Sequence, residues 1–152
     1  MLYHLSEEHE MLRQFVREFA ESQLAPNAAE GDDKGVFAQQ QYDALVEAGF
    51  AAPGIPEQYG GDGADAIASA IIMEEVARVC ASSSTVISSN ELGTFPLLKY
   101  GSEEQRKRYL SEVASGKALF GYALSEADAG SDPAALKCRA DEDGDSFVLN
   151  GV

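Results

Sequence analysis

The run from Asp65 to Cys80 constrains the fold of this chain more than any other segment. Its apolar residues Ile67, Ile71, Ile72, Met73, Val76 and Val79, joined by Ala66, Ala70 and Ala77, cover nearly the whole circumference of a helix. A helix that is apolar on every side cannot lie at a surface, so the run predicts a central, buried helix with others packed around it. Glu74 and Glu75 interrupt the pattern. Buried acids are one reading, but an exposed stripe, or an ion pair between Glu74 and Arg78 four residues on, explains them at lower cost.

The flanking segments supply the neighbours that such a helix needs. Leu12, Phe15, Val16 and Phe19 recur at helical spacing after Ser6, a good N-cap, and the pattern predicts a helix ending before Pro26. Asn27 to Gly35 is polar and acidic, and reads as a connection. Phe37, Ala44, Leu45 and Ala48 then mark a second helix closed by Gly49. Ala51 to Gly63 holds Pro53, Gly54, Pro56, Gly60, Gly61 and Gly63, too many breakers for regular structure, and predicts a shaped loop. Ser82 to Ser84 offer caps for a helix through Leu92, which Gly93 and Pro96 interrupt before an apolar turn at Leu97 and Leu98. Ser102-Glu103-Glu104-Gln105 is a capping-box pattern that starts a firm helix reaching Gly116.

The texture changes after Lys117. Leu119 to Leu124 predicts a strand and Ser125 to Pro133 a loop. Leu136 to Ala140 and Phe147 to Leu149 predict a hairpin around Asp143-Gly144. The expected organisation is an all-α up-and-down domain over residues 1–116 followed, over 117–152, by the first strands of a β domain. A lone hairpin leaves sheet edges unpaired and both faces uncovered.

Charge narrows the function. With 26 Asp and Glu against 11 Lys and Arg, the net charge is −15. Such a field repels phosphate backbones and anionic headgroups, so no nucleic acid and no membrane surface is expected as a partner. No apolar run approaches the roughly 20 residues of a spanning helix, and Glu7, Glu8 and Glu10 follow too soon for a secretory signal. A cytoplasmic location with Cys80 and Cys138 as reduced thiols is expected. His4 and His9 fall in no metal-ligand spacing, so no metal site is expected. Arg106, Lys107 and Arg108, the one basic cluster, read as a solvated helix face.

The loop after Leu119–Leu124 carries the chemistry. Gly121 to Asp132 places an aromatic, two hydroxyls and glycines on one segment, suited to the edge of a planar heteroaromatic cofactor and to close approach of a phosphate. Taken by themselves, Ser, Asp and Gly are also ordinary turn residues. Tyr122 to Asp132, YALSEADAGSD, resembles the flavin-binding signature of acyl-CoA dehydrogenases, ALTEPGAGSD. Gly54 to Gly61 resembles that family's P-E-x-Y-G-G loop, Gly101 to Leu110 its G-[ST]-E-E-Q-K-x-x-[YW]-L helix start, and Gly144 to Gly151 its D-G-x-[YF]-V-L-N-G hairpin.

The resemblance implies an N-terminal helical domain and the start of a truncated middle β-barrel domain. It implies that Tyr122, Leu124 and Ser125 contact the pyrimidine side of the FAD isoalloxazine, with Ser125 standing for the usual threonine. Gly130 and Ser131 would lie near the FAD pyrophosphate, Ser131 also near the acyl-CoA. Ser89, Leu92 and Phe95 would line the acyl tail, although spacing alone makes Leu92 and Phe95 core residues. Ala127 and Asp128 replace the usual Pro-Gly, which loosens the loop and places an aspartate where φ > 0 is expected. The reaction implied is α,β-dehydrogenation of an acyl-CoA thioester. Electrons would pass to an electron-transferring flavoprotein, in a homodimer or homotetramer. The family's catalytic base lies in a C-terminal helical domain, so no residue of 1–152 is assigned as catalytic. Two other readings are a flavin-dependent oxidase or monooxygenase of the same scaffold, and a non-catalytic helical interaction module.

Overall fold

A computed structural model describes residues 4–151. They form two compact units, Met1–Gly121 and Tyr122–Val152. The first is helical: α1 (Glu7–Phe19), α2 (Ala25–Lys34), α3 (Gln39–Glu47), α4 (Ala66–Val79), α5 (Ala81–Tyr100) and α6 (Glu103–Ala114). The second holds a 3-10 turn (Pro133–Ala135) and one antiparallel hairpin, β1 (Arg139–Asp143) with β2 (Ser146–Asn150). The expected order of helices before strands is what the structure shows.

Helix α4 packs against both α1 and α5. Its Ile72 and Val76 join Val16, Ala20, Leu24, Leu45 and Ile87 in the main core, and its Ile71 is also buried. Each of these Val, Leu and Ile side chains contributes roughly 1.5–3 kcal/mol on burial. Phe50 closes this core by meeting Phe15 and Phe19 edge-on, with ring centroids 6.0 and 5.2 Å apart. The all-round burial expected of α4 does not hold, because two neighbouring helices cannot cover its full circumference. Ala66, Ile67, Ala70 and Ala77 are exposed.

Glu75 is the larger departure. It is buried, at 3% exposure, and lies under α1. Arg17 donates to both its carboxylate oxygens, Nε to Oε2 at 3.0 Å and Nη2 to Oε1 at 2.7 Å, and Arg78 Nε donates to Oε2 at 3.2 Å. The partner of Arg78 is therefore Glu75, three residues back, together with Glu21, rather than Glu74. Arg17 holds the Glu75 carboxyl below the ordinary carboxylate range against the opposing push of burial, and Glu75 in turn raises Arg17.

Two helices run through expected breaks. One π-helical turn, Ala20–Leu24, joins α1 to α2, so Asn27 to Lys34 is helical rather than a polar connection. In the widened turn the Ala25 N–H reaches Ala20 O, and Pro26 falls in the first turn of α2, where no N–H is needed. Helix α5 likewise continues past Gly93 and Pro96 to Tyr100. Gly93 lies against Phe120, and a Cβ there would sit 2.3 Å from the ring's Cγ. Ser84 and Thr85 do not cap α5 but donate back to the carbonyls of Ala81 and Ser82.

Other terminators behave as expected. Ser102 and Gln105 form the reciprocal capping box of α6. Asp65 caps α4 by accepting from Ala68 N at 2.8 Å, a bond that holds its carboxyl low, and His9 Nε2 lies 3.3 Å from its other oxygen. Ala51 to Gly63 forms an irregular loop with one 3-10 turn, Glu57–Tyr59, around a second core of Ala52, Ile55, Tyr59, Leu110 and Val113. Leu119 to Leu124 is not a strand: among the described residues it pairs with nothing. The hairpin starts later than expected, with Arg139 opposite Asn150, and turns at Gly144-Asp145. Gly144 at φ +60° with Asp145 at negative φ is the type II′ arrangement that matches strand twist. Both hairpin faces are exposed.

Candidate functional site

The signature loop lies wholly in the second unit. Tyr122, Leu124, Ser125, Gly130 and Ser131 are all exposed. Among the described residues, the backbone N–H groups of Leu124, Ser125, Gly130 and Ser131 donate to no protein acceptor. With the Ser125 and Ser131 hydroxyls they are free donors on one exposed loop. Nothing lies within 4 Å of a Cβ built on Gly130. That donor set fits the ring heteroatoms and phosphate oxygens of a flavin dinucleotide.

Internal hydrogen bonds give this loop its shape. Glu126 N donates to Ala129 O at 2.9 Å and Ala129 N returns to Glu126 O at 3.2 Å. The Glu126 carboxylate accepts from Lys137 N at 2.7 Å and Cys138 N at 2.9 Å, and Lys137 Nζ pairs with Asp128 at 2.5 Å. Asp132 Oδ1 caps the following 3-10 turn at Ala134 N, 3.1 Å. Asp128 does not take up the positive φ that its place in the signature suggested, and neither does Gly130, because the only positive-φ residues described are other glycines. The Glu126–Ala129 turn is made without the usual Pro-Gly.

The three residues expected along an acyl tail belong to the first unit and divide. Ser89 is half-buried and lines a cavity of about 320 Å³ with Phe37, Tyr42, Cys80, Val86 and Phe120. Leu92 and Phe95 are exposed at 47% and 66% and do not line it, so they are surface positions and not the core residues that their spacing suggested. Tyr42 donates to Ala118 O at 3.3 Å, and burial pushes its phenol up.

Sequence reasoning missed the two residues beside them. Asn90, fully buried, donates from Nδ2 to Ala51 O at 2.8 Å and accepts at Oδ1 from Phe120 N at 3.0 Å. Glu91 accepts from Gly54 N at 2.9 Å, and a Cβ on Gly54 would meet its Oε2 at 2.6 Å. Polar residues at buried helix positions carry no periodic signal; only the polar Asn90-Glu91 step before Gly93 hinted at them. The basic cluster is occupied locally: Arg106 reaches Leu97 O, Lys107 pairs with Glu103, and Arg108 lies over Tyr109. Among the described residues no group of acidic, histidine or cysteine side chains could hold a metal, and no helix is long and apolar enough to cross a membrane. Cys80 and Cys138 are both free thiols.

Residues 6–117 match the family described as acyl-CoA dehydrogenase, N-terminal domain. A probable acyl-CoA dehydrogenase, FadE25, of Mycobacterium tuberculosis is 49% identical over 99% of this chain and 39% of its own length. The solved structure of a glutaryl-coenzyme A dehydrogenase in complex with glutaryl-CoA superposes with a TM-score of 0.90 at 35% identity, over 99% of this chain and 39% of that one. A glutaryl-CoA dehydrogenase from Mycobacterium smegmatis in complex with FADH2 gives 0.88 at 27% identity, over 97% and 38%. The chain thus spans about two fifths of the length of these relatives. The chain belongs to the acyl-CoA dehydrogenase family, with residues 6–117 as its N-terminal domain.

Proposed function

We propose that this chain is the N-terminal part of an FAD-dependent dehydrogenase that introduces a double bond between the α and β carbons of an acyl-CoA thioester. The free N–H groups of Leu124, Ser125, Gly130 and Ser131, with two serine hydroxyls on the same exposed loop, carry the reading, because such donors suit the acceptor edge and phosphates of a flavin dinucleotide. The bound flavin supplies the hydride acceptor. This chain's residues bind and orient: Tyr122, Leu124 and Ser125 along the pyrimidine side of the ring, Gly130 and Ser131 toward pyrophosphate and thioester. The exposed Leu92 and Phe95, with Ser89 on the same helix, offer surface to an acyl tail. The proton-abstracting base is not assigned to this chain. An electron-transferring flavoprotein as acceptor, a homodimer or homotetramer, a cytoplasmic site and a role in β-oxidation complete the proposal.

The test is a chimera in which this chain replaces the matching segment of the Mycobacterium tuberculosis relative. It is expected to purify with bound FAD. Ser125→Ala should weaken retention moderately, because one neutral hydrogen bond contributes only about 0.5–1.5 kcal/mol. Equal FAD affinity and an identical flavin spectrum in the variant would remove Ser125 from the site.

A further inference from the structure

We propose that Glu126 is a positioning residue of the cofactor loop: its carboxylate takes two consecutive backbone N–H groups and so fixes the path that presents Gly130 and Ser131. This inference rests on the flavin reading of the loop. The two bonds, to Lys137 N at 2.7 Å and Cys138 N at 2.9 Å, span 11 and 12 residues and tie the start of the loop to the entry of β1. The 3-10 turn that follows Ser131 lies inside the closed span. Between these anchors the reciprocal Glu126–Ala129 bonds, the Lys137–Asp128 pair and the buried Ala129 leave Gly130 and Ser131 outward-facing.

The chemistry selects a carboxylate of this length. Two adjacent N–H donors need two acceptor oxygens and no competing donor, which an ionised Glu provides. A glutamine offers one oxygen and turns its own NH2 toward the second donor. An aspartate is one methylene short of both. A loop held this way is ordered before a ligand arrives, so the ordering free energy is not charged against binding.

The experiment uses Glu126→Ala, Glu126→Asp and Glu126→Gln in the chimera described above, stripped of flavin and titrated with FAD, with amide hydrogen exchange read at Lys137 and Cys138. Ala and Asp are expected to weaken FAD binding by about tenfold, equivalent to about 1.4 kcal/mol. Gln should fall between them and the parent. Exchange at the two amides accelerates in Ala and Asp, while the helical melting transition and far-ultraviolet dichroism stay at the parent's values, which a general loss of fold would not allow. Variants that bind FAD like the parent, despite faster exchange, overturn the positioning role. Unchanged exchange overturns the clamp itself. A parent chimera that takes up no FAD overturns the functional reading and this inference with it, whereas a parent that binds FAD no more tightly than its variants overturns the inference alone.

Discussion

Arg17 and Glu75 are predicted to be strongly unequal partners. Glu75 is 3% exposed, whereas the Arg17 and Arg78 side chains are 50% and 43% exposed. Arg17→Met removes the bonds at 2.7 and 3.0 Å and leaves a buried carboxylate held only by Arg78 at 3.2 Å. Breaking a buried pair costs about 3–5 kcal/mol, and the surviving Arg78 contact puts this case at the lower end, about 3 kcal/mol. Glu75→Gln keeps the shape and one acceptor, and the two arginines rehydrate, so its cost is about 1–2 kcal/mol. Arg17→Met combined with Glu75→Leu should be milder than Arg17→Met alone, because no charge is left stranded. At 2–4 °C per kcal/mol for a chain of this size, Arg17→Met lowers Tm by roughly 6–12 °C. Acid dependence gives a second reading. Glu75 has a lowered carboxyl in the folded state, so its contribution is complete above the ordinary carboxylate value of about 4.3 and is lost as pH falls through the folded value below it. Arg17→Met removes the main cause of that lowering and leaves burial pushing the other way, so the acid limb of stability should move to higher pH. Melting followed by far-ultraviolet dichroism from pH 7 down to about pH 2 measures both. A Tm for Arg17→Met at or above that of Glu75→Gln, or an unmoved acid limb, would refute the reasoning.

Two further substitutions test local geometry. Gly93→Ala should gain up to about 1 kcal/mol in helix propensity yet lose about 1–3 kcal/mol net, because its Cβ meets the Phe120 ring at 2.3 Å; a urea midpoint equal to or above the parent's would show that Phe120 yields freely. Ser102→Ala removes the acceptor for Gln105 N and should cost about 1 kcal/mol, read from the same urea midpoint.

Features set by neighbours in sequence were legible without the structure. The Ser102 capping box and the Gly49 stop each depend on a few adjacent residues and each is where the pattern put it, and the hairpin turn falls one residue later, at Gly144-Asp145. Features set by distant contacts were not. Pro26 and Pro96 look like helix ends until a π-turn before one and packing around the other carry the helix through. Glu75 reads as a surface acid because its partner Arg17 lies 58 residues away. At the candidate site the motif marks a loop, but not how that loop is held. Glu126 had no assigned task, since the N–H groups it binds lie 11 and 12 residues downstream. Leu92 and Phe95 look like core by spacing, yet they fall on the uncovered side of α5.

Asn90 adds a buried polar tie between two regions that the second core already packs together, the loop at Ala52 and the stretch at Phe120. Its amide closes one loop of 39 residues back to Ala51 and another of 30 residues forward to Phe120. Closing either loop alone spends chain entropy and leaves half of a buried amide without a partner, a state worse than both closed or both open. The proline-glycine loop and the stretch leading to Tyr122 are thus driven toward a single transition. A lesion in one, even a substitution that touches no residue of the other, reaches across through this amide and loosens the far side as well.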